Sequence, residues 1–114
     1  VALTPLSAAP GWVAGMINLR GTPIVVIDLR SRFDLDADEY GLTTPIIVIR
    51  VADGRQVGLV VDAVTDLCEL PGDAIFATGD GGLRAAVARI GSQLVNVADC
   101  EAIVRGTEQL LPAE

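Results

Sequence analysis

The sequence has no histidine and no lysine among its 114 residues. Without histidine, Ser-His-Asp and Cys-His catalysis and all imidazole metal ligation are excluded. The eight basic residues are all arginine and face 15 acids, giving a net charge of −7 and a pI near 4.3. Nucleic-acid binding draws on neutralising phosphates, so a chain this acidic is a poor candidate for it. There are only two cysteines, Cys68 and Cys100, far apart and in no Cys-x-x-Cys motif. That pattern indicates neither a disulfide framework nor a zinc site, and reads as two free thiols of a cytosolic protein. No apolar run approaches the ~18 residues that span a bilayer. No basic-then-apolar leader opens the sequence, so export and membrane insertion are not expected. No long linker, low-complexity stretch or internal repeat is evident.

What the sequence does have is aliphatic side chains. Valine, isoleucine and leucine supply 36 residues, while aromatics are 4%. Hydrophobic residues make up 51% and mean hydropathy is +0.51. This predicts one domain, residues 1–114, with ample material for a core. A β-branched core favours strands.

Turn residues divide the chain into short segments. Residues 4–11 are rich in proline and read as an extended lead-in. Strands are predicted over 12–19, 22–29, 45–51 and 56–64, the last two joined by the hairpin signal Asp53-Gly54. Pro23 suits the start of its strand. A strand is expected to continue over 64–70, and a helical turn over 71–76. A second hairpin is predicted over 86–90 and 93–97, around Gly91-Ser92. Asp99 is a fair N-cap for a short closing helix through 104, with Arg105 and Gly106 at its C-terminus. The architecture is all-β and barrel-like. The strands are apolar almost throughout, which predicts burial on both faces.

Chemistry-bearing groups are few. Asp34, Asp36, Asp38 and Glu39 cluster in one loop, but the spacing lacks the glycine and terminal glutamate of a calcium loop, so a solvated acidic loop is expected. Gly79-Asp80-Gly81-Gly82 does not follow a buried strand, as a phosphate cradle would. Asp28 and Asp62 each end an apolar strand and are expected to cap a turn or pair with an arginine. Acid–base catalysis by the two is the enzyme alternative. Cys68 is flanked by acids, a poor setting for a nucleophile; Cys100 at a helix start would favour a thiolate, but with no base available a small buried residue is expected there. No cofactor or metal is expected.

Two longer motifs are more specific. Gly15-Met16-Ile17-Asn18-Leu19-Arg20-Gly21 is followed by Val26-Ile27-Asp28-Leu29-Arg30-Ser31-Arg32-Phe33. Together with the Thr4-Pro5-Leu6 lead-in and Gly58-Leu59-Val60-Val61-Asp62-Ala63-Val64, they resemble the CheW family of bacterial chemotaxis coupling proteins. The resemblance is strong over 4–70 and weaker beyond. It implies two small five-stranded, SH3-like barrels on a common core, and no enzymatic activity. It also implies a cytoplasmic adaptor that couples the chemoreceptor cytoplasmic tip to the regulatory domain of a histidine kinase.

On matching positions, Gly15, Arg20, Ile46 and Ile47 would meet the receptor. Gly21, Val64 and Leu67 would meet the kinase. Gly15 and Gly21 are also candidates for positive-φ backbone. Arg20 would otherwise join an ion pair between the barrels, leaving a buried charge short of its partner. Arg30 and Arg32 fit the free-standing adaptor type. The alternatives within the fold are a kinase's own regulatory domain or an adaptor of pilus motility. The family domain has two strands and a short helix ahead of the lead-in, and this sequence starts almost at the lead-in. An incomplete barrel is therefore expected, with self-association or a strand-swapped dimer as a consequence of its open edge.

Overall fold

A computed structural model describes residues 3–6, 8–35, 44–77, 82–108 and 110. The chain divides into two compact units, residues 1–64 with 104–114, and residues 65–103.

In the first unit, β1 (Val13–Leu19) turns through Arg20 and Gly21 into β2 (Thr22–Asp28). A single turn of helix, α1 (Leu29–Arg32), follows. Then come β3 (Ile46–Arg50) and β4 (Gln56–Val60). The sheet order is β1-β2-β4-β3, with β4 parallel to β2 and antiparallel to β3. The Asp53-Gly54 turn forms as expected. Gly54 takes φ +92, and the Asp53 carboxylate accepts the Arg55 N–H at 2.9 Å. β2 and β4 supply most of the core: Ile24, Val25, Val26, Ile27, Val57, Leu59 and Val60 are all buried. Gly58 permits their close approach, since a Cβ there would lie 3.0 Å from the Ile46 Cγ2 and 3.2 Å from the Val26 Cγ2.

The second unit has a 3-10 turn over Gly72–Ala74, then β5 (Ile75–Ala77), β6 (Arg84–Ile90), β7 (Gln93–Ala98) and the four-residue α2 (Cys100–Ile103). Its sheet order is β5-β6-β7, antiparallel throughout. The buried residues are small or aliphatic: Ala86, Ala88, Ala102 and Ile103.

The second unit repeats part of the first. β1 and β2 pair Val13 with Ile27 and Gly15 with Val26, leaving Ala14 as a bulge. β6 and β7 pair Arg84 with Ala98 and Ala86 with Val97, leaving Ala85 as a bulge. Each residue has its counterpart 71 positions on, and the remaining pairs follow the same offset. The match extends to the cap. Asp28 donates its N–H to the Trp12 carbonyl and precedes α1, while Asp99 donates to the Leu83 carbonyl and precedes α2. Over residues 12–32 and 83–103 only Ala14, Val26 and Asp28 recur as identical residues, at Ala85, Val97 and Asp99. The repeat lies in backbone geometry, so the expectation of none was wrong.

Three further expectations are corrected. Residues 61–70 form no strand. Asp62, Asp66 and Glu69 put a charge into every few positions, and the Asp66 carboxylate accepts the Leu67 N–H at 2.8 Å, a local bond that competes with strand pairing. Two-faced burial holds for β2 and β4 but not for β3, β5 or β7, which stand at sheet edges and are largely exposed. Four strands and three strands are described where the resemblance implied five and five. The mostly β fold and the short closing helix are as expected.

Gly15 takes φ +146, and a Cβ there would sit 2.6 Å from the Thr4 carbonyl oxygen. That contact is part of a bridge in which Thr4 and Met16 exchange two hydrogen bonds of 2.8 Å. Backbone strain and lost bridging predict that Gly15→Ala destabilises the fold by about 2 kcal/mol or more. A urea titration checks this; an unshifted midpoint would contradict it.

Candidate functional site

The most buried polar cluster ties the end of β2 to the residues after β4. Asp28 ends β2, caps α1 by accepting the Arg30 N–H at 3.0 Å, and also grips the Arg30 side chain. Arg30 Nε donates to Asp28 Oδ1 at 3.1 Å and Nη2 to Oδ2 at 3.3 Å, a bidentate pair. Arg30 Nη1 donates to Asp62 Oδ1 at 3.1 Å. The Arg30 and Asp28 side chains are 8% and 6% exposed, whereas Asp62 is 77% exposed. The guanidinium pKa is raised, first by the Asp28 hydrogen bond; burial opposes this and Asp62 adds to it. Both carboxylates therefore do what was expected of them, and the arginine they share is Arg30. A cleft of about 180 Å³ beside them is lined by Leu29, Phe33, Leu35 and Val61.

A second cluster holds the β3–β4 turn. Arg55 pairs with Asp53 at 2.9 Å and reaches the carbonyl and hydroxyl oxygens of the fully buried Thr107 at 3.3 Å. Hydrogen bonds from Arg55, backbone first, lower the Asp53 pKa. Glu108 is lowered by its own N–H and that of Gly106. Ionised forms of both favour the fold, and that contribution is lost as pH falls through the lowered values.

The residues singled out for partners fall in different places. Gly21 and Arg20 form the exposed β1–β2 turn, at φ +85 and +53, and Gly21 donates to the Asn18 side-chain oxygen at 2.7 Å. Arg20 is exposed, so the cost foreseen for a buried, unpaired guanidinium does not arise; the buried guanidinium is Arg30. Arg20 lines a shallow cleft of about 490 Å³ with Leu19, Thr22, Val48 and Gln56. Val48, 38% exposed, was missed, although its place in the Ile46–Arg50 run offered it. Ile46 packs on Gly58, whereas Ile47 is 40% exposed. Both stand opposite Val60 and Leu59, at the far end of the sheet from Arg20. Gly15 is buried and its role is in the backbone. Val64 and Leu67 are 57% and 96% exposed, without core burial. The acidic loop beyond Leu35 and residues 79–81 of the glycine-rich stretch lie outside the described residues.

Two β-sheets, each built on a bulged hairpin closed by an Asp-capped turn of helix, define the class of domain. Residues 1–108 match the family model described as a CheW-like domain, and the chain belongs to that family. It is 40% identical over 77 residues to the chemotaxis protein CheW of Rhizobium meliloti, covering 68% of this chain and 49% of that protein. Its namesake from Klebsiella aerogenes is 28% identical over 115 residues, covering 96% and 69%. The chain thus spans about half of the first relative and about two thirds of the second. Among solved structures, the scaffolding protein TtCheW of Thermoanaerobacter tengcongensis superposes with a TM-score of 0.85. It shares 24% identity, over 97% of this chain and 81% of that one, and has the same fold.

Two outcomes follow. Asp28→Ala removes both the cap and the bidentate partner of a buried charge and costs about 3–5 kcal/mol. Asp62→Ala, on the exposed side, costs under about 1 kcal/mol. Equal denaturant midpoints for the two variants would contradict the assignment. Cys100 is half-buried, and burial, then Asp99 and Glu101, raise its pKa, in keeping with a small partly buried residue rather than a thiolate. Cys68 is exposed. Iodoacetamide at pH 8 should modify Cys68 first, by mass spectrometry; prior labelling of Cys100 would contradict this.

Proposed function

We propose that this chain is a non-catalytic chemotaxis scaffold. In this reading it works in the cytoplasm as one domain that couples the chemoreceptor tip to the regulatory domain of a histidine kinase. Family membership and the names of its relatives support the reading. No helix among the described residues is long and apolar enough to cross a membrane. The mechanism is differential binding: receptor conformations that hold the scaffold differently bias the kinase it carries.

The observation that carries the reading is the conformation of Arg20. A non-glycine residue at φ +53 is costly. At the counterpart turn of the repeat the same position is Gly91, at φ +61, where no such cost applies. An arginine kept in that conformation, exposed and beside the aliphatic wall of Leu19 and Val48, suits recognition better than folding. Arg20 would be the receptor-facing charge, with Ile46 and Ile47 as a separate aliphatic contact and Gly15 as its backbone support. Gly21, Val64 and Leu67 would face the kinase.

Arg20→Glu should weaken binding to the receptor's cytoplasmic hairpin at least tenfold by calorimetric titration. Arg20→Gly should weaken it too while leaving stability unchanged or higher by up to about 1 kcal/mol. Full receptor affinity in either folded variant would overturn the assignment.

A further inference from the structure

The chain leaves the first unit after Val64 and re-enters it at Val104. On re-entry, residues 104–108 form no strand and no helix, yet Val104 is 3% exposed and Thr107 fully buried. A short relay of polar groups from the β3–β4 turn seats them. Asp53 holds Arg55 twice, accepting its backbone N–H and its Nε–H at 2.9 Å each. That grip aims the guanidinium, and its Nη1 donates to the Thr107 carbonyl and hydroxyl oxygens at 3.3 Å each. One residue earlier, Gly106 takes φ +96, and a Cβ there would lie 4.0 Å from the edge of the Trp12 ring. The Arg32 guanidinium lies over that ring, 4.4 Å from its centroid, and steadies it. All of these residues belong to the first unit.

The segment's other hydrogen bonds are its own. Thr107 donates its N–H and its hydroxyl to the Val104 carbonyl, at 3.1 and 2.6 Å. Its carbonyl accepts the Leu110 N–H at 3.1 Å, and Glu108 Oε2 accepts the Gly106 N–H at 2.8 Å. These bonds survive if the segment moves as a whole. Among the described residues, the two Arg55 bonds are the hydrogen bonds that tie residues 104–108 to the rest of the first unit. β2, by contrast, is laddered to a strand on each side. A segment whose own polar groups are paired internally, and which few bonds hold to its surroundings, opens at a lower cost than the sheet beneath it.

We propose that residues 104–108 are a releasable strap on the first unit, clasped by Arg55 and seated against Trp12, which opens and recloses while the sheet β1-β2-β4-β3 stays folded. Asp53 is the positioning residue of the clasp, acting through Arg55. Residues 65–103 are joined to the first unit at both ends, so release lengthens one of those two connections by the length of the strap. This goes beyond the scaffold reading and does not depend on it.

The test is native-state hydrogen exchange of the whole chain, read by NMR over a range of low urea concentrations. In the unaltered chain the Gly106, Thr107 and Leu110 amides should exchange at least about tenfold faster than those of residues 24–27, and with little dependence on urea. Strap amides that follow the urea dependence of residues 24–27 would overturn the proposal, because the segment would then open only with the whole unit. Arg55→Ala should speed the strap amides at least about tenfold more, still with little urea dependence; unchanged rates would overturn the clasp. Asp53→Ala should speed them too, and the double variant should be no faster than Arg55→Ala alone. Additive effects of the two substitutions would overturn the relay from Asp53 through Arg55.

Discussion

The carboxylate of Asp28 sets the geometry on which the first sheet depends. It ends the strand, starts the helical turn and fixes a buried guanidinium, all from one side chain. Arg30 then carries that order across to Asp62, beyond the end of β4. Two parallel strands, separated in sequence by a hairpin partner and a loop, are in this way held together at their ends as well as along their length. A buried ion pair of this kind contributes little net stability, because desolvation offsets its attraction. Its value lies in excluding other arrangements, since breaking it strands a charge in the interior.

The second unit shows what remains when that clamp is absent. Asp99 still caps, accepting the Ala102 N–H at 3.1 Å, and the hairpin with its bulge is preserved. Glu101 stands at the counterpart of Arg30. The strand before the cap carries Asn96 and Ala98 where β2 has Val25 and Ile27. Both changes belong together. Where the strand is covered on its outer edge, aliphatic bulk and an ion pair are accommodated; where it is unpaired among the described residues, smaller and more polar residues stand at the same positions.

Much of the fold was legible in local patterns. The Asp53-Gly54 turn, both hairpins, the Asp99 cap and the positive φ of Gly15 and Gly21 follow from turn chemistry that acts over a few residues. The repeat was not legible, because a bulge and a register depend on pairing rather than on identity, and three recurring residues do not mark it. The extension of β4 to residue 70 failed for a related reason: apolar residues favour a strand, but a strand also needs a partner, and beyond Val61, whose N–H donates to the Pro45 carbonyl at 3.2 Å, residues 62–70 pair with no strand among the described residues. At the site, the two aspartates were readable from their places at strand ends. Which arginine they held was not, since that depends on Asp28 and Asp62 converging across 34 positions of sequence. For Arg20, a buried charge short of its partner was one expectation beside receptor contact, and its exposure removes the first.

The central claim is that one strand-turn-helix unit occurs twice, its strand paired on the outer edge in the first copy and, among the described residues, unpaired there in the second. Native-state hydrogen exchange on the dilute chain tests it most directly. Amides of residues 24–27 should exchange only with global unfolding, while those of residues 95–98 exchange at least a hundredfold faster. Equal protection of the two strands at a concentration where the chain is monomeric would contradict it.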